Sequence, residues 1–264
     1  MHLYKGDSVS KSILYIPDCQ VKEGVPLDHL RWLGNYIVSK RPDIIVCGGD
    51  FADMPSLSSY DVGKKSFEGR RYTKDIQAVQ EAMKTLLEPV FNLQERQTVN
   101  KKKIYAPEMH LTLGNHENRI NRAINNDPKL EGLISINDLN YESYGWKVHP
   151  FLEVVTIQGI AFSHYFVTGL AGRPSSTANA QLNKTHTSCI SGHQQGLQIA
   201  TGKRADGQLL TSIIAGSFYL HEEEYLGAQG NNHWRGALML HGCENGQFDL
   251  NLLPMRYLQD KYNY

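Results

Sequence analysis

The sequence has no surplus of charge of either sign: Lys+Arg and Asp+Glu both number 27, so the formal net charge is zero. The overall basic footprint that usually marks a nucleic-acid binder is missing, which leaves room only for a local patch. Cysteine is scarce, and Cys19, Cys47, Cys189 and Cys243 form no C-x-x-C pair. This argues against a thiolate zinc site and reads as buried free thiols in a reducing compartment. No apolar run approaches the roughly 18–20 residues that span a bilayer. The opening MHLYKGDSVSKSILYIPD has no long apolar segment of the signal-peptide kind, so a cytoplasmic protein without membrane association is expected. Three catalytic signatures are also missing. There is no G-x-x-x-x-G-K-[ST] phosphate loop and no G-x-S-x-G elbow. His221-Glu222 lacks the second histidine of a zinc-protease helix.

What is present is ordinary in bulk. With 264 residues, 41% of them hydrophobic and 20% charged, the chain can bury one sizeable core. No repeat or low-complexity linker divides it, so residues 1–264 are expected to form one domain. Ser12–Pro17 (SILYIP) is a short apolar run that stops at Asp18, and Asp43–Cys47 (DIIVC) is another that stops at Gly48-Gly49-Asp50. Both read as buried strands. Between them, Leu27, Leu30, Leu33 and Ile37 recur at helical spacing, which predicts a helix over Pro26–Lys40 with the proline in its first turn. Strand, helix and strand in this order favour a parallel pair with a right-handed crossover. A long helix is predicted over Thr73–Gln94, a strand region over Lys103–Leu113, and a further helix from Glu117. The second half is different. Phe151–Ile157, Ile160–Ser163, Thr187–Ser191, Leu209–Ala215 and Gly236–Leu240 are short apolar runs broken by glycine and polar residues, and they read as strands. An α/β layered sandwich of two mixed sheets flanked by helices accommodates both halves.

Several of these apolar runs end in the same way, with a metal-ligand type of residue just beyond them. They deliver Asp18 (IPDCQ), Asp50 (CGGDFAD), Asn115 and His116 (LGNHE), His164 (FSHY) and His193 (SGHQQ). In open α/β sheets, ligands bind at the carboxyl ends of the strands. Carboxylate and amide oxygens are hard donors and imidazole is a nitrogen donor, so five such ends on one rim would build a metal site. Each element alone is weak, since a Gly-Asp or Gly-Asn pair is often only a turn. The ordered set D-x-Q, G-G-D-x-x-D, G-N-H-E, S-H and G-H-x-Q is far more specific.

That set resembles the signature of the calcineurin-like metallophosphoesterases: D-x-H, G-D-x-x-[DN], G-N-H-[DE], a later single His, and G-H-x-H. The resemblance runs from about Ile13 to Gly196, and G-N-H-E is its most specific part. The stretches DMPSLSSYDVGKKSFEGRRY and GNNHWRG also look like those of phage-encoded members, which would place the protein in a host cytoplasm. The resemblance implies a calcineurin-like two-sheet β-sandwich flanked by helices, and two divalent ions that activate a bridging water. By position, Asp18 would bind the first ion and Asp50 would bridge both. Asn115, His164 and His193 would complete the second. His116 would be the catalytic histidine, with Glu117 orienting it, and Asp53 matches the outer acidic position of the second motif. Two cations about 3.5–4 Å apart neutralise the anionic phosphoester and make hydroxide available near neutral pH. A histidine beside them can protonate the leaving oxygen.

The sequence departs from this pattern twice. Gln20 stands for the histidine of D-x-H, and Gln195 for the last histidine of G-H-x-H. Both family positions ligate the first ion. Amide oxygens there would give a harder site, favouring Mn²⁺ or Mg²⁺ over Zn²⁺ or Fe; the alternative is a weak or empty first site. For substrate, Arg70, Arg71 and Arg173 are candidate phosphate contacts, because guanidinium forks suit phosphate oxygens. Phe67 and Tyr72 lie among these charges and could stack a base. The expected function is therefore hydrolysis of a phosphodiester or phosphomonoester, with a nucleotide, DNA or RNA as substrate. One rival is a phosphoprotein phosphatase, against which stands the missing G-D-x-V-D-R-G form. The other is a metal-impaired binding scaffold, which would have no need of His116.

Overall fold

The computed structural model describes residues 10–223 and 226–264. β1 (Lys11–Ile16), α1 (Asp28–Lys40) and β2 (Ile44–Cys47) form the strand–helix–strand unit that the apolar runs foretell. β1 and β2 are parallel, with Ile13 opposite Ile44 and Ile16 opposite Cys47. The helix begins two residues after Pro26, with Leu27 at its N-cap position, so the proline precedes the first turn. α2 (Tyr72–Val99) outruns its predicted end at Gln94 and contains Pro89. A helical proline costs about 3 kcal/mol. The stripe of Val79, Met83, Leu86, Leu87, Val90 and Leu93 is buried on both sides of it, and each such aliphatic side chain returns about 1.5–3 kcal/mol.

The remaining elements are β3 (Glu108–Thr112), α3 (Arg119–Asn126), β4 (Lys147–His149), β5 (Val155–Ile157), β6 (Ile160–Phe162), α4 (Ala178–Thr185) and β7 (Cys189–Ser191). They continue through β8 (Leu197–Lys203), β9 (Leu209–Ala215), α5 (Gly227–Gly230), β10 (Gly236–Glu244), β11 (Gln247–Pro254) and α6 (Met255–Tyr262). Two mixed sheets result, one ordered β11-β10-β1-β2-β3-β4 and the other β5-β6-β7-β9-β8.

β2 and the Ile13–Ile16 part of β1 are apolar throughout because both of their faces are covered. Ile13 and Tyr15 of β1, with Ile44 and Val46 of β2, face the second sheet and meet Phe162, Ile190 and Ile213. The alternate residues Leu14, Ile16, Ile45 and Cys47 face α1 and α2, where Leu30, Leu33, Met83 and Leu86 cover them. Helices thus flank a pair of stacked sheets, and α4 lies against β7, β8 and β9. All four cysteines are buried and free. No helix among the described residues is long and apolar enough to cross a membrane.

This topology decides where the ligand-type residues go. β1, β2 and β3 run parallel in one sheet, and β6, β7 and β9 run parallel in the other. Asp18, Asp50 and Asn115 lie two or three residues past β1, β2 and β3; His164 and His193 lie two past β6 and β7. An isolated parallel bridge between Asp18 and Ser217, just past β9, joins the two sets of strand ends.

Candidate metal centre

Asp50, His164 and His193 bring one ligand atom each to within 4.8 Å of the other two, and this cluster could hold a metal ion. Asp50 Oδ2 lies 3.3 Å from His164 Nε2. His164 is fixed from behind, since its Nδ1 meets the carbonyl of Gly48 at 2.9 Å. That contact leaves Nε2 facing the centre, as a ligating imidazole requires. Asn115 Oδ1 sits 2.9 Å from the same Nε2. Asp18 accepts the backbone N–H of His193 on both carboxylate oxygens at 3.0 Å, which ties the ends of β1 and β7 together.

The backbone is contorted here. Gln20, Asp50 and His193 have φ of 45°, 46° and 68°, a left-handed conformation that is uncommon without glycine and concentrates at functional sites. Gly49 precedes Asp50 at φ 87°, and a Cβ on it would lie 2.6 Å from the Thr112 carbonyl and 2.7 Å from the Gly114 N–H. Only glycine lets the β2 and β3 ends approach this closely.

Charge is concentrated and buried. Burial pushes the Asp18 carboxyl up, to about 7, with Asp50 adding to the rise against the pull of His164. Burial would raise Asp50 too, but His116 and His164 hold its carboxyl well below the usual range. Burial opposes charge on His164, yet Asp50 and Asp18 raise it to about 10. His193 falls to about 4, through burial and the nearby His164, and so presents a neutral imidazole.

The donor set suits a divalent cation. Gln20 is 2% exposed, and its Oε1 is buried without a hydrogen-bond partner among the described residues. An unpartnered buried carbonyl costs about 1–3 kcal/mol unless something fills its lone pairs. Its backbone N–H is anchored on the carbonyl of Asp50 at 2.8 Å, which ties this residue to the loop that carries Asp50. Hard cations take such oxygens. Gln195 differs, because its Oε1 already accepts the hydroxyl of Tyr219 at 3.0 Å. Gln20 and Gln195 are therefore in unequal states.

Beside the cluster is a second arrangement. His116 donates its backbone N–H to Asp50 Oδ1 at 2.8 Å, and its Nδ1 lies 2.7 Å from Asp53 Oδ1. Its Nε2 is 3.7 Å from Asp50 Oδ2. Burial disfavours the imidazolium, but Asp50 and Asp53 outweigh it and raise the His116 pKa. Asp53 is gripped in turn by Lys22 Nζ at 3.1 Å and by Arg119, whose Nη1 is 2.7 Å from its carbonyl and 3.3 Å from its carboxylate.

The orienting role expected of Glu117 is corrected by this geometry. Its carboxylate is completely buried and accepts the backbone N–H groups of Asp50, Ala52 and Gly114 at 3.0, 2.9 and 2.8 Å. The Tyr141 hydroxyl adds a fourth contact at 3.3 Å. Glu117 fastens the loop after β2 to the loop after β3, and Asp53 is the residue that orients His116.

The expected phosphate contacts are not gathered at this centre by any contact they make. Arg70 donates to Asp61 Oδ2 at 2.9 Å and the Pro55 carbonyl at 3.0 Å, and it lies over the Phe67 ring. Arg71 donates to the Arg70 carbonyl at 2.8 Å. Tyr72, proposed to stack, instead gives its hydroxyl to Asp138 at 2.7 Å. Arg173 is exposed, in the loop whose Val167 and Pro174 pair. Sequence reading missed Arg119, Lys22, Tyr165 and Tyr219. Arg119 carries a usable signal, since it stands three residues after His116 at the start of a predicted helix, a spacing that puts two side chains together. No protein-family model matches this chain, and a search of curated proteins finds no match.

Proposed function

We propose that the chain is a metal-dependent phosphoesterase of the calcineurin-like superfamily, acting on a phosphodiester or phosphomonoester of a nucleotide or nucleic acid. The observation that carries this reading is the convergence of Asp50, His164 and His193 next to a histidine held by a carboxylate, His116 on Asp53. A binding scaffold has no need of the second arrangement. Asp50, Asn115, His164 and His193 would hold one divalent ion; Asp18, Gln20 and the shared Asp50 would hold another, with Gln195 at its margin. Such ions, when bound, neutralise phosphoryl oxygens and lower the pKa of water. Mn²⁺ suits the oxygen-rich first set best, with Mg²⁺, Zn²⁺ and Fe as the other candidates. The chain's own work is positioning and proton transfer. Asp53 holds Nδ1 of His116, so Nε2, which Arg119 Nη2 approaches to 3.3 Å, is the nitrogen that would protonate the departing oxygen. Glu117 fixes the two loops that carry Asp50, Asn115 and His116.

The test is hydrolysis of bis-p-nitrophenyl phosphate and p-nitrophenyl phosphate by the purified protein with each of the four metals. Activity is expected with Mn²⁺, lost in EDTA and restored by Mn²⁺. Asp50→Asn is expected to lose at least about 100-fold in kcat together with bound metal. No hydrolysis of either ester with any metal would sink the reading. The occupied state of Gln195 favours one alternative, a site that retains a single ion. Metal content after dialysis against Mn²⁺ separates one equivalent from two.

A further inference from the structure

Next to the metal centre stands a group of aromatic rings that the chemistry above does not use. Tyr165 directly follows His164. Its ring centroid is 4.8 Å from that of His193, 5.7 Å from Phe151 at an interplanar angle of 78°, and 5.8 Å from His164. His164 is fully buried, whereas Phe151, Tyr165 and His193 are each half-buried. The rings therefore climb from a buried ligand to solvent. Holding His164 in place does not require them, because Gly48 already fixes that imidazole.

A cation stands near this rim. Arg122 lies on α3 three residues after Arg119, hence on the same side of the helix, and Arg119 reaches His116, Nη2 to Nε2, at 3.3 Å. The arginine ion pairs among the described residues are those of Arg70, Arg119, Arg204 and Arg256. Arg122 is exposed and has none.

A partly exposed aromatic pair, an exposed arginine on the helix that carries Arg119, and a cluster of ligand-type side chains would together make a graded surface. It would take an aromatic ring, a phosphate and a reacting phosphoryl group in turn. Stacking on an exposed aromatic tolerates any base, because every base has a π-face, and a guanidinium fork suits phosphate oxygens. We propose that Tyr165 and Phe151, with Arg122, form a subsite for a nucleobase and its adjoining phosphate. This inference rests on the phosphoesterase reading only for the identity of the neighbouring reacting group. It assigns the substrate to aromatic-base phosphoesters, away from phosphoproteins and simple sugar phosphates.

Binding tests this independently of hydrolysis. With Mn²⁺ present, calorimetric titrations compare thymidine 5′-monophosphate with 2-deoxyribose 5-phosphate, which lacks the base. The wild type is expected to prefer the nucleotide by roughly 5- to 150-fold, the range that one stacked base supplies. Tyr165→Phe keeps the ring and should keep the preference, while Tyr165→Leu should abolish it at unchanged Mn²⁺ uptake. If Tyr165→Leu does not fold, Phe151→Leu carries the same comparison and should reduce the preference. Arg122→Gln should weaken both ligands severalfold and leave their ratio unchanged. A single-stranded oligothymidylate in a third arm separates the sources: tighter binding than the mononucleotide assigns the polymer, and equal binding assigns the free nucleotide. Equal affinity of the wild type for the nucleotide and the abasic sugar phosphate would overturn the subsite, as would a preference that survives in Tyr165→Leu. Preference without hydrolysis of any ester leaves the subsite standing and removes the enzymatic reading. Hydrolysis without preference does the reverse.

Discussion

Asp53 and Glu117 show how two buried carboxylates a few ångströms from one histidine divide their work by what their oxygens meet. Asp53 faces a ring nitrogen, Lys22 and Arg119, so it acts on His116. Asp53→Asn keeps the shape but weakens the hold on Nδ1. Metal content should be unchanged, and hydrolysis of alkyl esters, whose leaving groups need a proton, should fall about 10- to 100-fold. Activated p-nitrophenyl esters should fall much less, and an equal loss on both would show that Asp53 does not act through proton donation. Glu117 faces three backbone N–H groups, so its loss is structural. Glu117→Gln turns one acceptor oxygen into a donor aimed at another donor. That should cost about 1–3 kcal/mol in urea unfolding, and a variant of unchanged stability would contradict the assignment. The sequence shows both acids within their motifs but not which one touches the ring. That choice depends on how the loops after β2 and β3 fold over each other, which no spacing within one motif encodes.

Among the elements, legibility followed burial. β1, β2 and β9 read clearly because each carries a run of buried apolar residues, and Leu209–Ala215 matches its predicted span. β8 (LQIATGK) and β11 (QFDLNLLP) are not legible as strands because all their residues but Leu253 are half-buried or exposed, which leaves no buried apolar run. α4 and α6 have only two or three buried residues each, too few for a helical stripe to stand out. The contact between α1 and α2 yields a prediction that sequence propensity gets wrong. Gly34 lies inside α1, where alanine normally gains about 1 kcal/mol. A Cβ at this position would sit 2.4 Å from the Leu86 carbonyl and 2.9 Å from Cγ of Pro89. The helices touch through this glycine, and Pro89 makes the opposing surface rigid. Gly34→Ala is therefore expected to destabilise by about 1–3 kcal/mol through overpacking. Thermal unfolding decides the sign, and a raised Tm would mean that the helices can part at no cost.

At the scale of the whole molecule, the layers are held together at points where the strand-end loops cross back onto the helices, and His29 marks one of them. It lies in the first turn of α1, is 1% exposed, and packs edge-on against Phe218, 5.1 Å away, in the segment that leaves β9 for the rim of the candidate metal centre. Neither ring nitrogen makes a hydrogen bond of ordinary geometry among the described residues. Burial pushes its pKa down to about 3 from 6.5, His221 adds to the fall, and the Phe218 backbone opposes it by less. Above pH 6.5 the imidazole is neutral whether the chain is folded or not, so it adds no pH dependence. Below 6.5 the unfolded chain takes up a proton that the folded chain refuses. Stability must then fall with pH, and this contribution levels off only near pH 3, where the buried ring accepts the proton too. The slope for one such group is at most about 1.4 kcal/mol per pH unit. Urea unfolding at several pH values between 7.5 and 4.5, with EDTA throughout so that metal release plays no part, should show the wild type losing stability faster than His29→Leu. The two curves should diverge below pH 6.5 and run parallel above it. Parallel curves over the whole range would mean that His29 takes a proton without loosening the contact between α1 and the segment after β9, and that this junction does not limit acid stability.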